Sequence, residues 1–294
     1  TGIFKINPDG HSMGVSGVVN YLNKFGRTGT KGKYKHYDAV SELYYETLRY
    51  LQGLDPSPLA IDKVSTATSD GFPVYTNWIG KNGVGDPYGG RSNTADYSCQ
   101  KNNIVVIGDV NTNESNRYPE ADETANIPDI SYWTGIVSAF ESDNPTKYLD
   151  GDGIERKTTT PNTKNTFDMK GNAWYPIVGL SYWAHTHDIR GKSWKEKASQ
   201  RPGLRTKTFL FDVNENSTES NNDKRRYQNQ FFTSAKYGGF ESNPSNKGGN
   251  PYNTFGNPFL KENGAKAATA DNNVWQKEDQ PGEASTYYLQ SDAR

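Results

Sequence analysis

Residues 103–112 read Asn-Ile-Val-Val-Ile-Gly-Asp-Val-Asn-Thr. Four β-branched apolar residues stand in a row, Ile104 to Ile107, and a polar turn follows. A short apolar run without alternation predicts a strand buried on both faces, as in a parallel sheet covered by helices. Asp109 then sits just past the strand's C-terminal end. Open α/β sheets bind ligands at that edge. Asp109, Asn111 and Thr112 are therefore the first candidate site. A hard cation wants oxygen ligands, and a strand-end loop can present them.

The flanking sequence supplies the helices that parallel strands require. Upstream, Val40, Leu43, Tyr44, Thr47, Leu48 and Leu51 form one continuous helical stripe over residues 38–52. Asp38 can cap this helix, Glu42 complements its dipole, and Gly53 ends it before Pro56 and Pro58. Further upstream, Val15, Val18, Val19 and Leu22 have helical spacing. Downstream, Trp133, Ile136, Val137 and Phe140 mark a helix over residues 130–140. Residues 176–186 open with Pro176, which suits a first turn, and carry Ile177, Leu180, Trp183 and Ala184 as a stripe. Thr206 to Val213 reads as a second strand around Phe209, Leu210 and Phe211. Residues 223–237 read as a last helix, capped by Asp223 and stopped by Gly238 and Gly239. Tyr44, Leu48, Trp183 and Phe209 are the expected core.

Long polar stretches separate these elements, at residues 56–102, 143–172 and 241–294. Phe72, Tyr75 and Trp78 are expected anchors in the first stretch, and Trp275, Tyr287, Tyr288 and Leu289 in the last. The order helix, strand, helix, helix, strand, helix resembles half of a doubly wound α/β domain. Two strands make a poor sheet by themselves. The chain is also short of aliphatic residues: Leu, Ile, Val and Phe make up about 17%, under the ~20% that flags disorder. A net charge of −1 and 13% aromatic residues argue instead for a Tyr- and Trp-rich folded core with long loops.

Several function classes fall on composition. Charge is balanced, 33 basic against 34 acidic residues, so no broad basic face for nucleic acid is expected. No apolar run approaches the ~20 residues of a membrane span. The single cysteine, Cys99, has no intrachain partner and no activating neighbour in sequence. Asp150-Gly-Asp152-Gly-Ile-Glu155 begins like a calcium loop, but its glycine falls at position 4 where an EF-hand needs it at position 6. A surface turn is the simpler reading. His185 and His187 with Asp188 could hold zinc only by converging at a helix end, since i, i+2 residues do not share a helix face. A metal-dependent hydrolase built from Asp109, His185, His187 and Asp188 is the alternative function. It lacks an activated nucleophile or base, and no enzyme is expected.

Five segments taken in order carry a resemblance. They are Gly17-Val-Val-Asn-Tyr-Leu-Asn-Lys-Phe-Gly26, Ser41-Glu-Leu-Tyr-Tyr-Glu-Thr-Leu-Arg-Tyr-Leu-Gln-Gly53 and Cys99-Gln-Lys-Asn-Asn-Ile-Val-Val-Ile-Gly-Asp-Val-Asn-Thr112, then Gly179-Leu-Ser-Tyr-Trp-Ala-His-Thr-His-Asp-Ile-Arg190 and Ala235-Lys-Tyr-Gly-Gly-Phe240. Together they resemble the N-terminal region of the PilC/PilY type IV pilus tip proteins. The resemblance implies a partial doubly wound, von Willebrand A-like α/β region over residues 17–240, with insertions at about 56–102 and 143–172. Residues 241–294 would be a loop-rich extension leading toward a propeller domain. It implies an exported adhesin and pilus assembly factor at the pilus tip, cell surface or outer membrane. Its partners would be minor pilins and a host or abiotic surface. No cofactor is assigned; a divalent cation, calcium or magnesium, is the candidate, with Asp109 at the strand end and Asp150 and Asp152 in the Asp/Gly turn as its candidate ligands. The Asp-x-Ser-x-Ser run of an A-domain metal site is absent from this sequence, and the family's calcium loop lies outside it. The chain begins at Thr1 and is expected to be a segment of a longer polypeptide.

Overall fold

The apolar run forms strand β1, Asn102–Gly108. The computed structural model describes residues 39–64, 76–78, 85–88, 101–110, 112, 117–141, 147–149, 155–157, 175–190, 204–213, 229–241, 275–280 and 283–290. β1 pairs in parallel with β4, Thr206–Asp212, which pairs in parallel with β5, Tyr287–Leu289. The sheet order is β1-β4-β5. Between β1 and β4 lies an antiparallel hairpin, β2 (Lys147–Leu149) and β3 (Glu155–Lys157). Mixed helices and a small parallel sheet make this an α/β fold, with one more sheet strand than the two the sequence predicts.

Helix α1 spans Val40–Leu51, α2 Pro58–Ile61, α3 Ile130–Glu141, α4 Pro176–Thr186 and α5 Gln230–Gly239. None of the described helices is long and apolar enough to cross a membrane. α1 buries Ser41, Tyr44, Tyr45 and Leu48, while Leu43 is exposed. Its buried stripe is thus rotated from the apolar one by the polar ends of two residues. The Tyr44 hydroxyl lies 2.7 Å from Thr208 Oγ1 on β4, and Ser41 Oγ accepts from the backbone N–H of Ile177. Burial pushes the Tyr44 phenol up to about 12 despite that Thr208 contact. Gly53 ends the helix with φ +68°, the left-handed conformation that favours glycine. Asp38 lies outside the described residues, and the N-cap, Ala39, makes no side-chain bond.

α4 has the predicted bounds but not the predicted one-sided stripe. All eleven of its residues are buried. It packs against α1, α5 and β4, and against α3 as well, so no face is left for water. Two small residues allow this. A Cβ on Gly179 would lie 2.4 Å from the Thr134 backbone nitrogen of α3, and Ser181 of α4 sits where Gly238 of α5 comes closest. α5 also starts later than predicted. Asn229 is extended and caps it, its Oδ1 accepting from Phe232 N–H at 2.6 Å. Helix therefore does not run through this position, and Asp223 lies outside the described residues.

β1 corrects a second expectation. It is buried on one face only. Ile104 is buried, whereas Val105 and Ile107 are 57% and 71% exposed. On β4, Thr206, Thr208, Leu210 and Asp212 face the helices, and Phe209 and Phe211 lie on the other face. Phe209 is therefore not core; Leu210 is. Tyr44, Leu48 and Trp183 are buried as expected. Trp78 anchors its loop by an edge contact with Tyr50, 5.9 Å between centroids. Phe72, Tyr75 and the residue 15–22 stripe lie outside the described residues.

Candidate functional site

β1 and β4 run in parallel and end together, Gly108 opposite Asp212. Their C-terminal ends, with the first turn of α5, form one polar edge. Asp109 is half-buried just beyond β1. Gln230 reaches across from α5, its Nε2 donating to the Val110 carbonyl at 2.8 Å and to Thr112 Oγ1 at 2.9 Å. Thr112 is thus tied to the α5 start, whereas Asn111 lies outside the described residues. The Val213 N–H donates to the Gly108 carbonyl, so the two strand ends are stitched together.

Asp212 is the buried acid of this edge, 1% exposed. Tyr287 of β5 donates its hydroxyl to Asp212 Oδ2 at 3.0 Å, and Asn229 Nδ2 donates to that same hydroxyl at 3.0 Å. The relay joins all three layers of the edge: β4, β5 and the cap of α5. Sequence reasoning missed Asp212, Tyr287, Asn229 and Gln230. One signal was present. Asp109-Val-Asn-Thr-Asn113 after β1 recurs as Asp212-Val-Asn-Glu-Asn216 after β4. The register offsets the two by one residue, so Asp212 falls on the helix-facing side and is buried while Asp109 stays partly open.

The histidines lie at the other end of the sheet. His185 Nδ1 is 2.9 Å from the Thr206 carbonyl at the start of β4, and Nε2 is 2.7 Å from the Phe240 carbonyl. Six residues of strand separate Thr206 from the Asp212 end, about 20 Å at ~3.3 Å per residue. His187 is held against Trp183, and its Nδ1 contacts Thr186 Oγ1 and the Trp183 carbonyl. Asp188 Oδ1 accepts from the N–H groups of Arg190 and Leu204. The structure therefore does not bring Asp109 together with His185, His187 and Asp188. Zinc bonds of ~2.0–2.2 Å cannot bridge that separation. Among the described residues no group of three metal-binding side chains converges. Asp150, Asp152 and Cys99 lie outside the described residues; the hairpin strands on either side of the Asp150 segment pair antiparallel.

Burial holds the His185 pKa down to about 4, from 6.5, while the Thr206 and Phe240 carbonyls at its two ring nitrogens pull the other way, since a neutral ring donates to only one of them. A buried base with a lowered pKa binds its proton later than the unfolded chain does. Its contribution is complete above pH 6.5 and is lost as pH falls toward 4, about 3 kcal/mol in all. Urea midpoints measured from pH 7 to pH 4 should fall more steeply for the native chain than for His185→Gln. Equal slopes would show that the ring does not fold in its neutral form.

The protein is 28% identical over 248 residues to a type IV pilus biogenesis factor PilY1 homolog of Xylella fastidiosa. The chain is similar to a PilY1 homolog. The match covers 79% of the chain and 18% of the relative, so the chain spans under a fifth of that protein's length. No family model matches the sequence, and no solved structure matches it. The similarity extends over 79% of the chain, well beyond any single motif.

Proposed function

We propose that this chain is part of a type IV pilus biogenesis factor that works by presenting surfaces and not by catalysis. The observation that carries this reading is the 28% identity over 248 residues to a PilY1 homolog. An open parallel sheet with a polar carboxyl edge supports it, because such edges are where α/β folds hold ligands. The edge offers the half-buried Asp109 carboxylate with amides and hydroxyls around it. The finer reading is a pilus-tip adhesin, exported to the cell surface, whose region 17–240 is a partial doubly wound, von Willebrand A-like unit. Minor pilins and an external surface would be its partners. Asp109, Asn111 and Thr112 form the contact edge in this reading.

The test separates assembly from attachment. Asp109→Ala and Asn111→Ala are introduced together into the full-length protein in its own cell. Pili are counted by electron microscopy and attachment to a surface is measured in parallel. Attachment is expected to fall by about tenfold with pilus number unchanged, the loss of ~1.4 kcal/mol of binding. Unchanged attachment would remove these residues from the contact edge.

A further inference from the structure

Gln230 suits its place poorly as a purely structural side chain. It is the first residue of α5 and is 1% exposed. Its Nε2 donates to the Val110 carbonyl and to Thr112 Oγ1. Its Oε1 is also buried and accepts no hydrogen bond. Turning the amide over would not help, because Oε1 would then face the Val110 carbonyl. A buried acceptor left empty is destabilising, whereas an apolar side chain of similar length leaves none. Stability alone does not call for an amide here. What the amide supplies is a pair of donors aimed at the loop after β1.

Those donors act from a fixed platform. Every residue of α5 except Lys236 is buried. Asn229 caps the helix through the Phe232 N–H and also bonds Tyr287 of β5. Side chains on rigid elements hold a site more precisely than loops do. The start of the β1 loop is secured in other ways: Val110 is buried, and the Gly108 carbonyl is stitched to Val213. Thr112, further out, is held through its hydroxyl. The direction of that bond matters. A hydroxyl that accepts from an N–H keeps its own proton for another acceptor. Thr112 is thereby left as a donor on the same loop as the Asp109 carboxylate.

We infer that Gln230 is the positioning residue of the carboxyl edge: its amide fixes Thr112 and leaves the Thr112 hydroxyl to donate to an oxygen of the bound partner. The inference rests on the reading of this edge as the contact surface, and it adds the chemistry of what is met there. The partner group carries an acceptor for Thr112 and a donor for the Asp109 carboxylate. An amide, in a peptide group or a side chain, combines the two.

Gln230→Met, Thr112→Val and the two combined, in the full-length protein, test this. Hydrogen exchange is followed in a peptide covering residues 104–112, beside urea midpoints, pilus number and attachment to glass. Gln230→Met removes both donors together with the empty acceptor, so its urea midpoint should stay near the native value. Exchange in residues 104–112 should rise about tenfold, with α5 unchanged. Attachment should fall about tenfold in each single variant at constant pilus number, and no further in the double variant, because both act through one hydroxyl. Thr112→Ser should attach like the native protein. Unchanged exchange or a much lowered midpoint in Gln230→Met would overturn the positioning role, and so would losses that multiply in the double variant. Attachment lost in Asp109→Ala with Asn111→Ala but kept in Thr112→Val would leave the contact edge standing and overturn the donor role. Attachment kept in all of these variants would sink the edge itself and the inference with it.

Discussion

Arg190→Met should destabilise the protein by about 3–5 kcal/mol, the cost of breaking a buried ion pair by removing one partner. Arg190 Nη2 lies 2.6 Å from Asp86 Oδ1, with side-chain exposures of 12% and 5%. The same guanidinium donates through Nε to the Leu51 carbonyl at 2.6 Å and lies 4.5 Å above the Tyr88 ring. One side chain therefore holds the end of α1, the loop at residues 85–88 and the chain leaving α4. Gly53 belongs to the same knot, because a Cβ there would meet Asp86 Oδ2 at 2.3 Å and Arg190 Nη2 at 2.8 Å. Nearby, Gln52 Nε2 donates to the carbonyls of Asn126 and Ile189. Methionine keeps the stem and removes the charge, so Asp86 stays buried without its cation. Replacing Asp86 with Leu as well should recover most of the loss, since the buried pair itself adds little net stability. Urea midpoints with unchanged m-values would report both results. A single-variant loss under ~1 kcal/mol would mean that the pair behaves as a surface contact.

Gly179→Val should cost about 3 kcal/mol or more through overpacking. The new Cβ would meet the Thr134 backbone nitrogen and Oγ1 at 2.4 Å and the Thr134 Cα at 2.9 Å. Backbone atoms of α3 cannot swing aside as a side-chain tip can, so the two helices must separate. α4 is buried on every side, so separating it from α3 disturbs its packing on the sheet too. Gly135, in the middle of α3, is the control. A Cβ there meets nothing within 4 Å. Gly135→Ala should stabilise by up to about 1 kcal/mol, the helix-propensity gain of alanine over glycine. Thermal midpoints moving in opposite directions would bear out the packing; similar shifts at both sites would contradict it.

What could be read from the residues alone divides along physical lines. α1, β1, α3, α4 and β4 were legible because each carries a long apolar pattern. α4 even keeps its predicted bounds, since Pro176 marks its start. Burial on both faces of β1 was not legible as wrong. Four β-branched residues read the same whether the second face is covered or open. Leu43 and Tyr45 exchanged places because a hydroxyl and a serine, which hydrophobic periodicity ignores, set the rotation of α1. β5 is three residues long, too short for any period, and it pairs with a strand some 75 residues before it. Asn229 caps α5 and also bonds Tyr287 of β5, a contact 58 residues away in sequence that local pattern does not show. At the candidate edge, Asp109 was legible by position. Asp212 was not, because its burial depends on Tyr287 arriving from β5. The two histidines looked like a pair in sequence, yet helix geometry sends His185 to the strand-start carbonyls and His187 against Trp183.

The most direct test of the pilus reading is to delete the coding sequence for this chain, in frame, from the organism that carries it and to count surface type IV pili by electron microscopy. The account predicts that pilus number collapses and returns when the intact gene is restored. Full piliation in the deleted strain would contradict it.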